Sequence, residues 1–273
     1  MTDRAGIRRP TAPERHGWTV RTVAETGSTN ADVLAGLERG ETLARTVLRA
    51  DHQTAGRGRL DRRWDAPPGA NLLASLCFAS EASTPGGVSA VVRPVELTQA
   101  VGLAAVLAVD RLAPGGERSE ESSRAGLKWP NDVLLGDAKL AGVLAQRSSG
   151  GEIVVGIGIN IGWAPDAAAC LSRDLGVDVE PAEFLDVMLT ELDAHLLRCR
   201  DERQRRYVER LHTLGRTVRI QLPAGDDVVG VAEGIDDSGR LLVREATDTG
   251  SPGQVRAIDV GDIVHLRTPT IDQ

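Results

Sequence analysis

The chain has 273 residues, 41% of them hydrophobic and 26% charged, and a net charge of −7. That balance suits one large soluble domain, or a domain with a small module, and it excludes broad nucleic-acid binding, which needs a basic face to displace counterions. Cys77, Cys170 and Cys199 are isolated and the five histidines form no HxxxH or HExxH pair, which fits a reducing cytoplasmic setting and excludes a disulfide framework or a Cys/His zinc site.

Residues 1–17 are rich in Arg and Pro without the apolar run of a signal peptide. They are expected to form a disordered leader, too short for a DNA-reading helical domain. Trp18–Ala24 reads as a strand, and the turn Gly27–Asn30 feeds a helix over Ala31–Arg39, capped by Thr29 or Asn30. Thr46–Ala50 and Asn71–Phe78 read as strands, and Ser80–Gly87 as a turn-rich connection. Pro94–Leu112 has the apolar spacing and alanine content of a helix, and its most apolar stretch, Leu97–Leu112, is too short and too polar to span a bilayer. Ala113–Gly126 is a surface loop by composition. Ala138–Gln146 and Ile153–Ile161 read as strands, the second with two glycines where other atoms approach the backbone closely. Pro181–Arg210 reads as one long helical region whose basic end is either a contact for an acidic partner or a solvated face. After Leu214-Gly215, five short strands separated by Pro, Gly and Asp suggest a small β-barrel. They are Thr217–Leu222, Val228–Ile235, Arg240–Glu245, Gln254–Asp259 and Ile263–Leu266. These elements divide the chain into a leader (1–17), a main domain (18–212) and a C-terminal module (213–268).

Lys128 and Lys139 are the only lysines, the other 30 of the 32 basic residues being arginine. Lysine presents a compact ammonium where arginine presents a planar fork, and both lysines fall in LKWPNDVLLGDAKLAG (127–142). A lysine entering an apolar strand needs an anionic partner, and Lys139 suits donation to an anionic oxygen. Asn131 and Asp132 suit a sugar hydroxyl or a metal–phosphate group. Upstream, Gly56-Arg57-Gly58-Arg59 pairs glycines that let the main chain approach a ligand with forks that grip phosphate or carboxylate. Arg62 and Arg63 add charge, and Trp64 offers a flat ring. Asp61 breaks GxGxxG and no Lys-Ser/Thr follows, so neither a dinucleotide fingerprint nor a P-loop fits. A glycine-rich loop of repelling charges predicts disorder without ligand. Asn160, at the end of a glycine-containing strand, suits either a helix cap or a ligand contact.

Taken in order, GSTN (27–30), HQTAGRGR (52–59), KWPND (128–132), KLAG (139–142) and GIGIN (156–160) closely resemble the biotin protein ligases, over about residues 18–267. The likeness is to actinobacterial members without a repressor domain. The resemblance implies an α+β fold: a mixed β-sheet flanked by helices, related to the class II aminoacyl-tRNA synthetase core, then a small SH3-like β-barrel. It implies ATP and biotin as substrates with Mg²⁺, biotinyl-5′-AMP as intermediate, and a biotin carboxyl carrier domain of acyl-CoA or pyruvate carboxylases as acceptor. Nucleic acid and membrane are not expected partners, and the protein is expected to be a monomer or weak homodimer. Ser28, Thr29, Asn30 and Gln53 match the biotin pocket. Arg57, Gly58 and Arg59 match the loop over the adenylate, and Trp64 the ring beside adenine. Lys139 matches the lysine at the biotin carbonyl and phosphate, making it, with Arg57 and Arg59, the catalytic candidate. Asn131, Asp132, Gly142 and Asn160 match nucleotide-side positions, with Asp132 the one candidate Mg²⁺ ligand. Asp61 departs from the glycine common in the family. The rival readings are a lipoate or octanoyl ligase or transferase of the same fold, a biotin-responsive DNA-binding repressor, and a non-catalytic nucleotide-binding module.

Overall fold

The computed structural model describes residues 17–59, 62–80, 93–113, 125–222, 226–247, 253–259 and 261–265. The leader, except for Gly17, and Asp61 therefore lie outside the described residues, as do most of the loops expected over 80–87 and 113–126.

Two sheets carry the molecule. The first orders its strands β1 (Thr19–Thr26), β2 (Thr46–Gln53), β3 (Leu72–Phe78), β7 (Ile153–Ile159), β6 (Ala138–Arg147), β5 (Asp132–Leu135) and β4 (Ala125–Lys128). β1 and β2 run parallel and every other neighbouring pair is antiparallel, which makes the sheet mixed. Side chains alternate between the faces of a strand. Cys77 and Val154 pack with Val33 of α1 (Thr29–Glu38) on one face. Leu76, Phe78 and Val155 join the main core on the other. There α2 (Pro94–Leu112) and, after the short α3 (Leu171–Leu175), α4 (Pro181–Leu196) lie together against the sheet. Pro94 opens α2 with φ preset for a helix, while Glu96 in its first turn and Arg111 in its last complement the helix dipole.

The second sheet is antiparallel, in the order β11 (Val255–Ile258), β10 (Leu241–Glu245), β9 (Val228–Ile235), β8 (Thr217–Gln221) and β12 (Asp262–His265). Among the described residues no ladder joins β11 to β12, so the five strands form an open sheet. Its apolar face, including Val218, Ala232, Val243 and Ile263, is continuous with the main core.

Several expected elements shift. α1 starts at Thr29, with Ser28 at the cap position and no side-chain cap bond; the oxygens expected to cap it are used inside the site described below. The loop expected over Ala113–Gly126 gives way to β4 at Ala125. β4 and β5, four residues each, are too short for periodicity to show. The long C-terminal helix breaks after Leu196 and resumes as α5 (Arg200–Val208). Its arginines meet the chain's own acids. Arg200 and Arg203 reach Glu96 of α2, and Arg210 lies 2.6 Å from Asp110.

His195 of α4 is 3% exposed. Burial first, then Arg206, Arg203 and Arg198, lower its pKa from 6.5 to about 4. The unfolded chain takes up that proton near pH 6.5, whereas the folded chain refuses it until about pH 4. Stability from this residue is therefore complete above pH 7 and is lost as pH falls through the window, by up to about 3 kcal/mol. In thermal melts, His195→Leu is expected to shrink the drop in Tm between pH 7 and 4.5. An unchanged drop would remove His195 from the acid response.

Candidate active site

The face of the first sheet that carries α1 is stripped of side chains over a short patch. Register pairs Gly142 with Gly158, Gly156 with Ser75, and Leu144 with Gly156. Three glycines on adjacent strands make a floor, and larger groups lie on it. A Cβ on Gly156 would sit 2.4 Å from Asn30 Oδ1, and one on Gly158 would sit 2.5 Å from Trp64 Cε2. These are the close approaches expected at the two glycines of the strand. Above the floor is a cavity of about 260 Å³, lined by all thirteen site residues selected from the sequence.

One end of the cavity is neutral and densely hydrogen-bonded. The Gln53 side-chain carbonyl accepts from the Thr29 amide at 2.8 Å and from the Thr29 hydroxyl at 3.0 Å. Ser75 Oγ lies 2.7 Å from Thr29 Oγ1 and 2.5 Å from Asn30 Oδ1. The Asn30 amide donates to the Leu144 carbonyl at 3.2 Å and to Gln146 Oε1 at 2.8 Å. Thr29, Asn30 and Ser75 are all buried. A buried polar cluster fully engaged in this way holds its side chains in fixed directions, which suits a flat polar ligand.

The other end is cationic. The loop after β2 folds back as a hairpin: Arg57 bridges Arg63, Gly58 N–H donates to the Arg62 carbonyl at 2.7 Å, and Trp64 N–H donates to the Gly56 carbonyl at 3.0 Å. Residues 60 and 61, at the tip of the loop expected to be disordered, lie outside the described residues, and its described arms also meet the second sheet. Arg59 donates to Asn131 Oδ1 at 3.2 Å and to the Gly261 carbonyl at 3.4 Å, and Arg62 pairs with Asp262 at the start of β12. Burial lowers the Arg59 pKa, against the opposing pull of Asp262 and Asp132.

Lys139 reaches this end through a defect in the ladder. Asp132 pairs with Gly142, but Leu134 pairs with Lys139, so one residue of β6 is extra. A bulge of this kind shifts the parity of the strand. Leu140 goes to the core, and Lys139 shares the floor with Gly142, its Nζ 3.3 Å from where a Gly142 Cβ would be. Lys139 Nζ lies 2.7 Å from Asp132 Oδ1 and 5.8 Å from the centre of the Trp64 ring. The contact with Asp132 is a charge pairing without hydrogen-bond alignment, and Asp132 Oδ1 has no hydrogen-bond partner. Lys128 faces Asp132 across the β4–β5 hairpin but does not line the cavity. Burial lowers its pKa, with Asp132 and Asp262 opposing.

Among the described residues no three His, Cys, Asp or Glu side chains could enclose a metal. Mg²⁺, however, is commonly held by one or two carboxylates together with substrate phosphates, and the buried Asp132 Oδ1, paired by charge with Lys139 but without a hydrogen bond, fits that role. Asn160 lines the cavity, yet its amide donates to the Ala169 carbonyl at 3.0 Å and its carbonyl lies 3.4 Å from Asn71 Nδ2. Its side chain is largely taken up in holding the loop after β7. Sequence reading missed Ser75, hidden in an apolar strand, and Asp262, which is contributed by the second sheet but lines the same cavity.

Comparison with known proteins gives the family of the chain. Residues 24–163 match the model of the Biotin/lipoate A/B protein ligase family, and residues 213–266 match the Biotin protein ligase C terminal domain. The chain is 40% identical to the biotin–[acetyl-CoA-carboxylase] ligase of Mycobacterium tuberculosis, over 98% of this chain and 100% of that protein. It is 33% identical to the Paracoccus denitrificans enzyme of the same name, over 81% of this chain and 92% of that protein. In fold it resembles the Aquifex aeolicus biotin protein ligase solved with biotin and ATP, with a TM-score of 0.71 at 24% identity, over 91% of this chain and 99% of that one. Among the described residues no helix is long and apolar enough to cross a membrane. On both domain matches and a relative aligned along nearly its whole length, this chain belongs to the biotin protein ligases.

Proposed function

We propose that the chain joins biotin to ATP as biotinyl-5′-AMP and then passes the biotinyl group to a lysine of a biotin carboxyl carrier domain. The observation that carries this reading is the polarity of this cavity. A neutral, rigid hydrogen-bonding end meets a cationic end across a floor of glycines.

The polar cluster around Thr29, Asn30 and Gln53 would take the ureido ring, placing the biotin carboxylate towards Lys139. A carboxylate oxygen attacks the α-phosphorus of ATP, and the α–β bridging oxygen leaves with its electron pair as pyrophosphate. Arg57, Arg59 and Lys139 stabilise the negative charge that gathers on the α-phosphate in this step. Mg²⁺ held at Asp132 would neutralise the phosphates when bound. Trp64, resting on Gly142 and Gly158, gives the adenine a flat neighbour. The loop arms 56–59 and 62–64 would then cover the mixed anhydride and exclude water. In the second step the neutral ε-amine of the carrier lysine attacks the acyl carbon. AMP leaves with the C–O electron pair, and the amine proton passes to solvent.

A purified carrier domain incubated with the protein, ATP and biotin should gain the mass of one biotinyl group. Lipoate in place of biotin should give no gain; equal labelling by lipoate would contradict the biotin assignment.

Asp262 holds the covering hairpin through Arg62, so Asp262→Asn is expected to loosen that cover. Released biotinyl-5′-AMP, trapped from solution without carrier, should rise by about three- to tenfold, in keeping with a charge-assisted contact. Release at the wild-type level would show that the ion pair does not hold the loop.

A further inference from the structure

The turn that carries Asn131 and Asp132 is anchored from behind by the C-terminal part of the chain. Trp129 is 2% exposed and does not line the cavity. Its backbone N–H donates to the Thr213 hydroxyl at 3.0 Å and its indole N–H donates to the Gly239 carbonyl at 3.0 Å. Thr213 is fully buried and precedes β8; its hydroxyl also lies 3.2 Å from His265 Nε2 on β12. Gly239 lies in the β9–β10 turn, where φ of +80° suits glycine.

That turn is built to stay still. Asp236 Oδ1 accepts from the amides of Ser238 at 2.8 Å and Arg240 at 2.9 Å, while Gly239 N–H donates to the Asp236 carbonyl at 2.9 Å. It is also docked, because the Asp237 carbonyl accepts from Arg93 at the start of α2 and from Arg200 of α5. On the cavity side of Trp129, Asn131 is fixed in turn. Its amide donates to the Val143 carbonyl at 2.9 Å, its backbone carbonyl accepts from Val143 N–H at 2.8 Å, and its Oδ1 accepts from Arg59. Hydrogen bonds from the second sheet thus hold Trp129, and two residues along the main chain a separate set holds Asn131 at the cavity.

We infer that Trp129 is a positioning residue, which through Thr213 and Gly239 ties the placement of Asn131 and Asp132 to the docking of the C-terminal sheet. This rests on the ligase reading, in which those two side chains serve ATP and metal while the cluster around Thr29 serves biotin. Loosening the tie should therefore disturb the ATP end of the cavity and spare the biotin end. A purely structural role would weaken both ends together.

The test uses the full chain and steady-state pyrophosphate exchange, with KM measured separately for ATP and biotin. Thr213→Val keeps the shape and removes the hydroxyl that receives the Trp129 N–H; Thr213→Ser keeps the hydroxyl. Thr213→Val is expected to raise the KM for ATP about tenfold, the cost of an unpartnered buried amide, with the KM for biotin within twofold of wild type. Thr213→Ser is expected to behave as wild type. Trp129→Phe, which removes the indole donor together with part of the buried ring, should move the ATP constant in the same direction, so either substitution suffices if the other fails to fold. An unchanged KM for ATP, an equal rise for biotin, or failure of Thr213→Ser to rescue would overturn the proposal. Absence of exchange in the wild-type protein would instead sink the ligase reading.

Discussion

Lys139→Ala is expected to lower the rate of biotin adenylation by about 10²–10³-fold, the scale on which a preorganised charge at a developing oxyanion contributes. The ammonium is placed by the β6 bulge, held 2.7 Å from Asp132 and set beside the Trp64 ring. Its removal also leaves Asp132 Oδ1, which already lacks a hydrogen-bond partner, without its cation. Arginine should not rescue. The Nζ already stands 3.3 Å from the site of a Gly142 Cβ, and a planar guanidinium has neither the size nor the point-charge geometry of the ammonium. Rapid quench of a single turnover would measure the loss. A rate for Lys139→Ala within a factor of about three of wild type would take Lys139 out of the chemistry.

The two floor glycines of β7 should separate the cavity's halves. Alanine at Gly156 brings a methyl group to 2.4 Å from Asn30 Oδ1 and 2.9 Å from its Cγ. The Asn30 amide must then leave Ser75, Leu144 and Gln146, and a buried polar group losing its partners costs about 1–3 kcal/mol. Gly156→Ala is thus expected to raise the KM for biotin by about tenfold or more. Alanine at Gly158, two residues on and on the same face, meets Trp64 at 2.5 Å from Cε2 and 2.6 Å from Nε1. There the indole must lift, and the KM for ATP is expected to rise on a similar scale while biotin is spared. A crossed pattern, with Gly156→Ala acting on ATP and Gly158→Ala on biotin, would reverse the assignment of the two ends.

Much of this was legible in the sequence because the elements involved are long or chemically distinctive. α2 runs over Pro94–Leu112 as its apolar spacing and opening proline predict, and β9 covers Val228–Ile235 as expected. The rarity of lysine led to the right hairpin, yet only Lys139 of the pair faces the cavity. The deciding feature is the bulge that turns Lys139 out and Leu140 in, and no pattern of residue types announces a one-residue register shift. Ser75 was hidden for a different reason: a strand buried on both faces shows a near-continuous apolar run, so its one hydroxyl reads as filler. Asp262 and Thr213 became meaningful only when the second sheet was docked, since their partners Arg62 and Trp129 lie far away in the chain. In sequence, the basic end of the last helices is open to two readings, an acidic-partner contact or a solvated face. Its charge was real, but three of its arginines are spent on Glu96 and Asp110.

The most direct measurement is biotin-dependent exchange of labelled pyrophosphate into ATP by the purified protein in the presence of Mg²⁺, with lipoate as the control acid. The account predicts exchange with biotin, none with lipoate, and loss of exchange in Lys139→Ala. Exchange supported equally by lipoate, or ATP binding with no exchange for either acid, would contradict it.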